Sequence, residues 1–196
     1  EWAAICAVQA AGSHLAPEPI AFVPAGTLPH PVVVYRWPGG LPLSGQSVTV
    51  GELTTLAGSL AEVHSLPLSP EAGLVTAWHQ PSGYAEYCAE IMQTIGRVRG
   101  WATGLSATDS LPAWAAGLTA LLPAIEAALD DAGGAQPDAG HCEFSTLVRL
   151  DGNLENAMRL DDGRLVFVDW GYSGLGDPAF DLAELRWHPR ALQIPP

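Results

Sequence analysis

Three oxygen-bearing side chains toward the end of the sequence have a spacing that suits the binding of a cation. Asp151 stands in a polar loop after an apolar segment, Asn156 lies five residues further on, and Asp169 follows a second apolar segment. A short hairpin between the two segments would bring their ends together, so we expect the three side chains to face one small volume. Carboxylate and amide oxygens are the ligands that Mg²⁺ prefers in proteins, so the pattern predicts a magnesium site.

The same side chains also have the order that phosphoryl transfer requires. In that reaction one carboxylate orients the attacking hydroxyl and accepts its proton, while a second carboxylate and an amide hold the metal ions that bridge the phosphates. The order typical of kinases is an Asp, an Asn five residues later, and an Asp in a D-x-G turn. It occurs in this sequence as Asp151, Asn156 and Asp169-Trp170-Gly171.

Three further polar residues are expected to serve the structure rather than the chemistry. Asp177 precedes a proline at the start of a helical pattern, so we interpret it as the helix N-cap. Asp181 lies in the first turn of the same pattern, and we interpret it as a carboxylate that braces a loop. His64 is expected to pack or to hydrogen-bond between helices.

Apolar periodicity, together with glycines and prolines, predicts the elements that must position these side chains. Predicted helices cover residues 1–11, 50–65, 84–103, 110–132 and 177–186, and predicted strands cover residues 20–23, 32–35, 144–149, 157–160 and 165–168. The fold class is therefore α+β. We place a boundary near Gly39-Gly40, between a small sheet-bearing lobe and a larger helical lobe.

The composition excludes several classes of function. The formal charge is −13 and all eight basic residues are arginines, so a nucleic acid is an unlikely partner because its phosphates require neutralisation by cations. An acidic surface favours cationic small molecules or metal ions. No run reaches the roughly 18 apolar residues of a membrane span. The three cysteines are widely spaced and odd in number, so we expect reduced thiols in a cytoplasmic protein.

Several longer motifs follow one another along the chain. Pro17-Glu18-Pro19 and then Val34–Gly39 have the form of a strand that runs into a hinge, and Leu60–His64 has the form LAxxH. Val168–Ala183 contains DW followed by GDPxxDLA. In order and spacing these motifs resemble the aminoglycoside phosphotransferase/choline kinase family. The resemblance implies a protein-kinase-like fold, with the remnant of a small β N-lobe in residues 1–39 and a mostly helical C-lobe with a catalytic β-hairpin in residues 40–196.

The resemblance also implies a role for each residue of the predicted site. Asp151 would be the catalytic base, and Asn156 and Asp169 would bind Mg²⁺. The family usually has His-Gly-Asp where this chain has Arg149-Leu150-Asp151. We place Arg149 with Asp151 in the catalytic group and expect it to brace the loop through a carboxylate.

A nucleotide site is implied at the hinge. The backbone around Tyr35 and Trp37 would pair with the adenine edge of ATP. Glu1 falls where the family's first helix carries a Glu that holds a phosphate-binding Lys, but the sequence has no lysine and no counterpart of the phosphate-covering loop. We therefore interpret the chain as cut short at both ends, with an incomplete C-terminus, and expect these residues alone to form a poor or inactive kinase.

The resulting hypothesis is an ATP-dependent phosphotransferase that moves a phosphoryl group from Mg·ATP to a hydroxyl of a small molecule. ATP and Mg²⁺ are the expected cofactors. Aminoglycoside, choline-like, sugar and hydroxy-amino-acid acceptors all fit, cationic ones among them, and neither a nucleic acid nor a membrane is expected as a partner. The alternative is a non-catalytic, pseudokinase-like module that binds a nucleotide or another ligand.

Overall fold

Two compact units make up the chain. The computed structural model describes residues 1–26, 28–43, 48–78, 84–104, 120–125, 127–128 and 145–188. The first unit combines Glu1–Gln80 with Phe144–Pro196, and the second unit is Pro81–Glu143. Helices and small antiparallel sheets are both present, which confirms the α+β class. The lobe boundary near Gly39-Gly40 stays a prediction.

The first unit begins with a helix and a two-stranded sheet. Helix α1 covers Trp2–Ala10 and buries one apolar face. It ends before Gly12, whose φ of 78° is a conformation that glycine adopts without steric cost. Strands β1 (Pro19–Val23) and β2 (Val32–Tyr35) pair antiparallel, because their β-branched and aromatic side chains suit a pleated surface.

Helix α2 (Val50–His64) begins at a capping box. The Thr49 hydroxyl accepts the Glu52 N–H at 3.2 Å, and the Glu52 carboxylate accepts the Thr49 N–H at 2.7 Å. These bonds satisfy donors that would otherwise have no partner in the first turn. One apolar face of the helix is buried in the core, through Leu56, Leu60 and Val63.

The remaining elements of this unit surround the predicted site. A three-stranded antiparallel sheet has the order β3 (Leu41–Pro42), β5 (Ala157–Arg159) and β6 (Leu165–Phe167), and strand β4 (Thr146–Val148) pairs antiparallel with β7 (Gly174–Gly176). Short 3₁₀ turns occur at Pro70–Ala72 and Leu154–Asn156, and the last helix of the unit, called α4 here, covers Pro178–Trp187. Asp177 caps α4 as predicted, because its carboxylate accepts the Ala179 N–H at 2.9 Å.

The strands that end at the site lie over a closely packed core. All three residues of β6 are buried, and Phe167, Trp170 and Leu147 are among the largest fully buried side chains. The Trp170 and Phe167 rings pack edge-on, with their centroids 6.3 Å apart. The indole N–H of Trp170 donates to the Phe167 carbonyl at 2.7 Å. A buried Trp is satisfied when its single polar group is paired in this way. The ends of β4 and β6 therefore have little freedom to move.

The second unit is helical where it is described. Helix α3 covers Tyr84–Gly104, in agreement with the predicted helix over residues 84–103. Residues 120–125 and 127–128 are also helical, and the rest of the helix predicted over residues 110–132 lies outside the described part of the chain. Within that described part, no helix is both long enough and apolar enough to cross a bilayer.

Candidate functional site

Asp151 leaves strand β4 and enters a loop that fixes the orientation of its carboxylate. Oδ1 accepts the Asn153 N–H at 3.0 Å, while Oδ2 accepts from the Asn156 side-chain amide at 2.8 Å and from the Arg149 guanidinium at 3.1 Å. The side chain is only 12% exposed. Three donors from different directions hold the carboxylate in one rotamer, and one lone pair of Oδ1 remains for a further donor.

Asn156 connects the Asp151 loop to the second predicted carboxylate. It ends the 3₁₀ turn, and its amide nitrogen donates to Asp151, which leaves its amide oxygen as an acceptor. Its backbone carbonyl accepts the Val168 N–H at 2.9 Å. Val168 directly precedes Asp169 in the chain. The hairpin thus brings the two loops together, as predicted from the spacing.

Asp169 lies in the tight turn that follows strand β6. Its φ is 56°, a left-handed conformation that Asp tolerates better than most residues, and its side chain is exposed. The buried Trp170 anchors the turn on one side. On the other side Gly171 leaves room for the carboxylate, since a Cβ at that position would lie 3.3 Å from Asp169 Oδ1.

Arg149 is buried between these two loops. Only 2% of the residue is exposed, and one guanidinium nitrogen donates at 3.1 Å both to Asp151 Oδ2 and to the carbonyl of Val168. The guanidinium lies over the Phe167 ring, 4.2 Å from its centroid. Burial lowers the pKa of Arg149, and the charges of Asp151, Asp181 and Asp169 oppose that shift. The predicted contact with a carboxylate is present; its catalytic role stays a prediction.

Asp181 braces the same loop from helix α4, as predicted. Its buried carboxylate accepts the backbone N–H groups of Arg149, at 3.0 Å, and of Leu150, at 2.7 Å. His64 Nε2 lies 2.8 Å from Oδ2 of this carboxylate, so His64 hydrogen-bonds between α2 and α4 as expected. One carboxylate therefore ties two helices to the loop that carries Asp151.

Two features of this loop escaped the sequence analysis. Leu150 has a φ of 51°, although it is not a glycine, and the family motif has Gly at this position. Gly152 lies so close to helix α4 that a Cβ would overlap the backbone of Glu184 and Leu185. A glycine directly after a candidate catalytic Asp was the available signal for the second feature. The glycine that the family usually has at the position of Leu150 was the available signal for the first feature.

The two predicted hinge residues differ in their exposure to solvent. Tyr35 ends strand β2 and packs partly against the core, whereas Trp37 is 60% exposed. Burial raises the pKa of Tyr35, and the negative charges of Glu1 and Asp169 raise it further. The Tyr35 phenol is therefore in the electrostatic field of the predicted metal-binding turn. The pairing of this segment with adenine stays a prediction.

The donors present suit a cation that is shared with a ligand. In the part of the chain that the structure describes, no group of three or more His, Cys, Asp or Glu side chains is arranged to hold a metal. Asp169 and the amide oxygen of Asn156 offer two oxygen ligands. Mg²⁺ is commonly held by one or two carboxylates together with waters and phosphate oxygens, so this small set fits it.

Comparison with known proteins gives a family and several structural relatives. The profile of the phosphotransferase enzyme family matches residues 1–195. No curated protein sequence matches the chain. A spectinomycin phosphotransferase in complex with ADP and spectinomycin is similar, with a TM-score of 0.63 and 16% identity over 98% of this chain and 58% of that one.

A second similar structure is a thermostable mutant of an aminoglycoside phosphotransferase, in a ternary complex with ADP and hygromycin B. It has a TM-score of 0.53 and 18% identity, and the alignment covers 98% of this chain and 63% of that one. The chain thus spans about three fifths of the length of the solved structures that it matches. At these identities the likeness shows the fold, and the predicted phosphotransferase-type fold is confirmed.

Proposed function

The chain belongs to the phosphotransferase enzyme family, and from this premise we propose that it carries the catalytic loop and the metal-binding turn of an enzyme that transfers a phosphoryl group from Mg·ATP to a hydroxyl of a small molecule. The observation that supports this most is the double role of Asn156. Its side chain fixes the Asp151 carboxylate, and its backbone carbonyl fixes the strand end before Asp169. A group that orients a hydroxyl and a group that binds a cation are thereby held side by side.

In the proposed reaction Asp151 receives the acceptor hydroxyl. The hydroxyl donates to the remaining lone pair of Oδ1. This hydrogen bond turns the hydroxyl oxygen toward the γ-phosphorus. As the new O–P bond forms and the bond to the leaving ADP oxygen breaks, the proton passes to Oδ1 of Asp151. Asp169 Oδ1 and Asn156 Oδ1 would hold Mg²⁺, which supplies charge neutralisation on the phosphate oxygens. Positioning of this kind is the main contribution that a protein makes to phosphoryl transfer.

The proposed nucleotide is ATP. Solved relatives contain ADP or AMP. In this chain the backbone around Tyr35 and Trp37 would receive the adenine, and the Tyr35 phenol already lies in the field of Asp169.

For the acceptor we propose a cationic molecule with a ring or another compact carbon skeleton. The formal charge of −13 supports a cation, and two solved relatives hold spectinomycin and hygromycin B. Trp78 stacks on Tyr172 with ring centroids 4.6 Å apart, and the two residues are 57% and 47% exposed. Tyr172 lies three residues after Asp169. Aromatic faces attract cations and the C–H groups of rings, so this pair supports such an acceptor.

Calorimetry with Mg·ADP tests the proposal. We expect the unaltered chain to bind Mg·ADP, and Asp169→Asn to weaken Mg·ADP binding at least tenfold while it changes the binding of metal-free ADP much less. Asp162→Asn is the matched control, because Asp162 is an exposed carboxylate in the hairpin turn and pairs with Arg164. Equal binding of Mg·ADP by both variants would contradict the metal site. Normal Mg·ADP binding without phosphoryl transfer to any amino-alcohol or sugar acceptor would favour the pseudokinase-like alternative.

A further inference from the structure

Arg149 touches both of the loops on which the proposed reaction depends. We call residues 150–153 the catalytic loop and residues 169–171 the metal turn. One guanidinium nitrogen donates to Asp151 in the catalytic loop and to the Val168 carbonyl next to the metal turn, each at 3.1 Å. A second nitrogen lies 3.4 Å from the Asp151 carbonyl. Arg149 is the only buried basic side chain among the residues whose burial the structure describes.

Stability alone does not account for a cation at this position. A buried ion pair loses much of its hydration, and replacing such a pair with apolar side chains is often neutral or stabilising. The Nε of Arg149 is buried and has no hydrogen-bond partner among the described residues, which adds to the cost of burial. The hydrogen bonds of the guanidinium to two loops, rather than its contribution to stability, are therefore the feature to explain.

The shape of the arginine side chain explains how it could fix the position of Asp151 relative to the strand end that carries Asp169. A guanidinium is planar, always charged near neutral pH, and directs several N–H groups at fixed angles. Here the plane lies against Phe167, so its rotation is limited by the ring on one side. The two donor directions then determine how far Asp151 stands from the strand end that carries Asp169. A histidine, which the family usually has at this place, lacks that forked set of donors.

We propose that Arg149 is a positioning residue that couples the catalytic loop to the metal turn, so that it determines turnover rather than nucleotide affinity. The proposal rests on the proposed function and specifies how the site is assembled. Metal and nucleotide would contact Asp169 and Asn156, and the Arg149 guanidinium donates to neither of these side chains but to Asp151 and to the Val168 carbonyl. The orientation of Asp151 does pass through Arg149, and a displacement of about 1 Å at a reacting group can lower a rate about 100-fold.

Arg149→Lys tests this coupling, because it keeps the charge and removes the fork. We expect the amide of Asn153, which donates to Asp151, to exchange with solvent at least tenfold faster in this variant. The amide of Leu160, which donates to Arg164 in the far turn of the hairpin, should exchange at its original rate. Mg·ADP affinity should stay within about threefold, and whatever phosphate release from Mg·ATP the unaltered chain shows should fall about 100-fold. Arg164→Lys, at the exposed hairpin turn, is the matched control.

Several outcomes would overturn the proposal. An unchanged exchange rate at Asn153 would show that Arg149 does not orient Asp151. Faster exchange at both amides, in proportion to a loss of global stability, would show that Arg149 only fills the core. Absence of Mg·ADP binding in the unaltered chain would instead refute the proposed function, since the exchange experiment requires neither nucleotide nor turnover.

Chemical rescue provides a second test. In Arg149→Ala, added methylguanidinium should restore slow exchange at Asn153, because it can make the planar pair of hydrogen bonds to Asp151 and to the Val168 carbonyl. Methylammonium at the same concentration should restore much less, since it is a point charge. Equal rescue by the two ions would mean that charge alone matters and would overturn the positioning role.

Discussion

Replacing Asp181 with alanine should separate the catalytic loop from the helices that hold it. The Asp181 carboxylate accepts two backbone N–H groups, those of Arg149 and Leu150, and contacts the His64 ring. All of these groups lie in buried or partly buried surroundings. Asp181→Ala removes every one of these bonds at once and leaves Arg149 with one fewer opposing charge.

The expected magnitude follows from the number and type of these bonds. A hydrogen bond to a charged group contributes about 1.5–3 kcal/mol, and an unsatisfied buried donor costs about 1–3 kcal/mol. Because the bonds share one carboxylate, their effects do not add in full, and we expect Asp181→Ala to lower the free energy of unfolding by about 3–5 kcal/mol. Asp181→Asn keeps one oxygen for the two N–H groups, and we expect a loss of only about 1–2 kcal/mol.

Urea unfolding, followed by circular dichroism, is the assay. Because the chain has two compact units, exchange at the amides of strand β4 should be measured beside it, so that the unit with Asp181 is observed directly. Asp177→Ala is the matched control, since it removes the N-cap of the same helix and should cost about 1 kcal/mol. The reasoning would be refuted if Asp181→Ala cost no more than Asp177→Ala, or if Asp181→Asn were as damaging as the alanine variant.

Two other predictions follow from local features of the same unit. Leu150 has a positive φ, which costs a residue with a Cβ about 1–2 kcal/mol, so Leu150→Gly should be more stable than Leu150→Ala in urea unfolding, contrary to the usual order of these two residues. A larger stability for the alanine variant would exclude strain at this position. Hydrogen bonds from the backbone and side chain of Thr49, and the charge of Arg159, lower the pKa of Glu52. Because the folded-state pKa is lowered, these bonds stabilise the fold above the pKa of an unfolded Glu, and the benefit is lost as the pH falls through the folded-state pKa. Glu52→Gln should therefore be about 0.5–1 kcal/mol less stable than the parent at pH 7, and the difference should disappear as the pH falls through the folded-state pKa. A constant difference between the two proteins in thermal unfolding across that range would contradict the role of the carboxylate.

Much of the fold could be predicted because its signals are local. The capping residues of α2, the β-branched run of β2 and the proline after Asp177 each specify an element within a few residues. The predicted helices and strands that the structure describes in full agree with it to within one or two residues, but the short strands β3 and β7 were not predicted. Of the strand predicted over residues 144–149, residue 144 lies outside the described part of the chain, and within the described part only Thr146–Val148 pairs with β7.

The sequence proposes the members of the candidate site, whose catalytic and metal-binding roles stay predictions, and it indicates only some of their contacts. Asp151, Asn156 and Asp169 were identified from spacing, since a tight hairpin leaves few ways to place the ends of its strands. The roles of Asp177 and Asp181 also followed from helix position. The reach of Arg149 to the Val168 carbonyl did not, because it depends on how β4 lies beside β6 and on the Phe167 ring beneath the guanidinium.

The sequence by itself therefore determined the family, the order of the site residues and the elements that deliver them, because motifs and periodicity act over short distances along the chain. Only the tertiary structure decided that the Asp151 carboxylate is held by three donors, that Leu150 is left-handed, and that Asp181 reaches back across about thirty residues to its backbone partners. The bonds of Asp181 to the loop, like the bond from Arg149 to the Val168 carbonyl, join segments that are distant in sequence. They form when the β4–β7 pair and helix α4 pack together. No local pattern specifies which residues, far apart along the sequence, will meet when these elements pack.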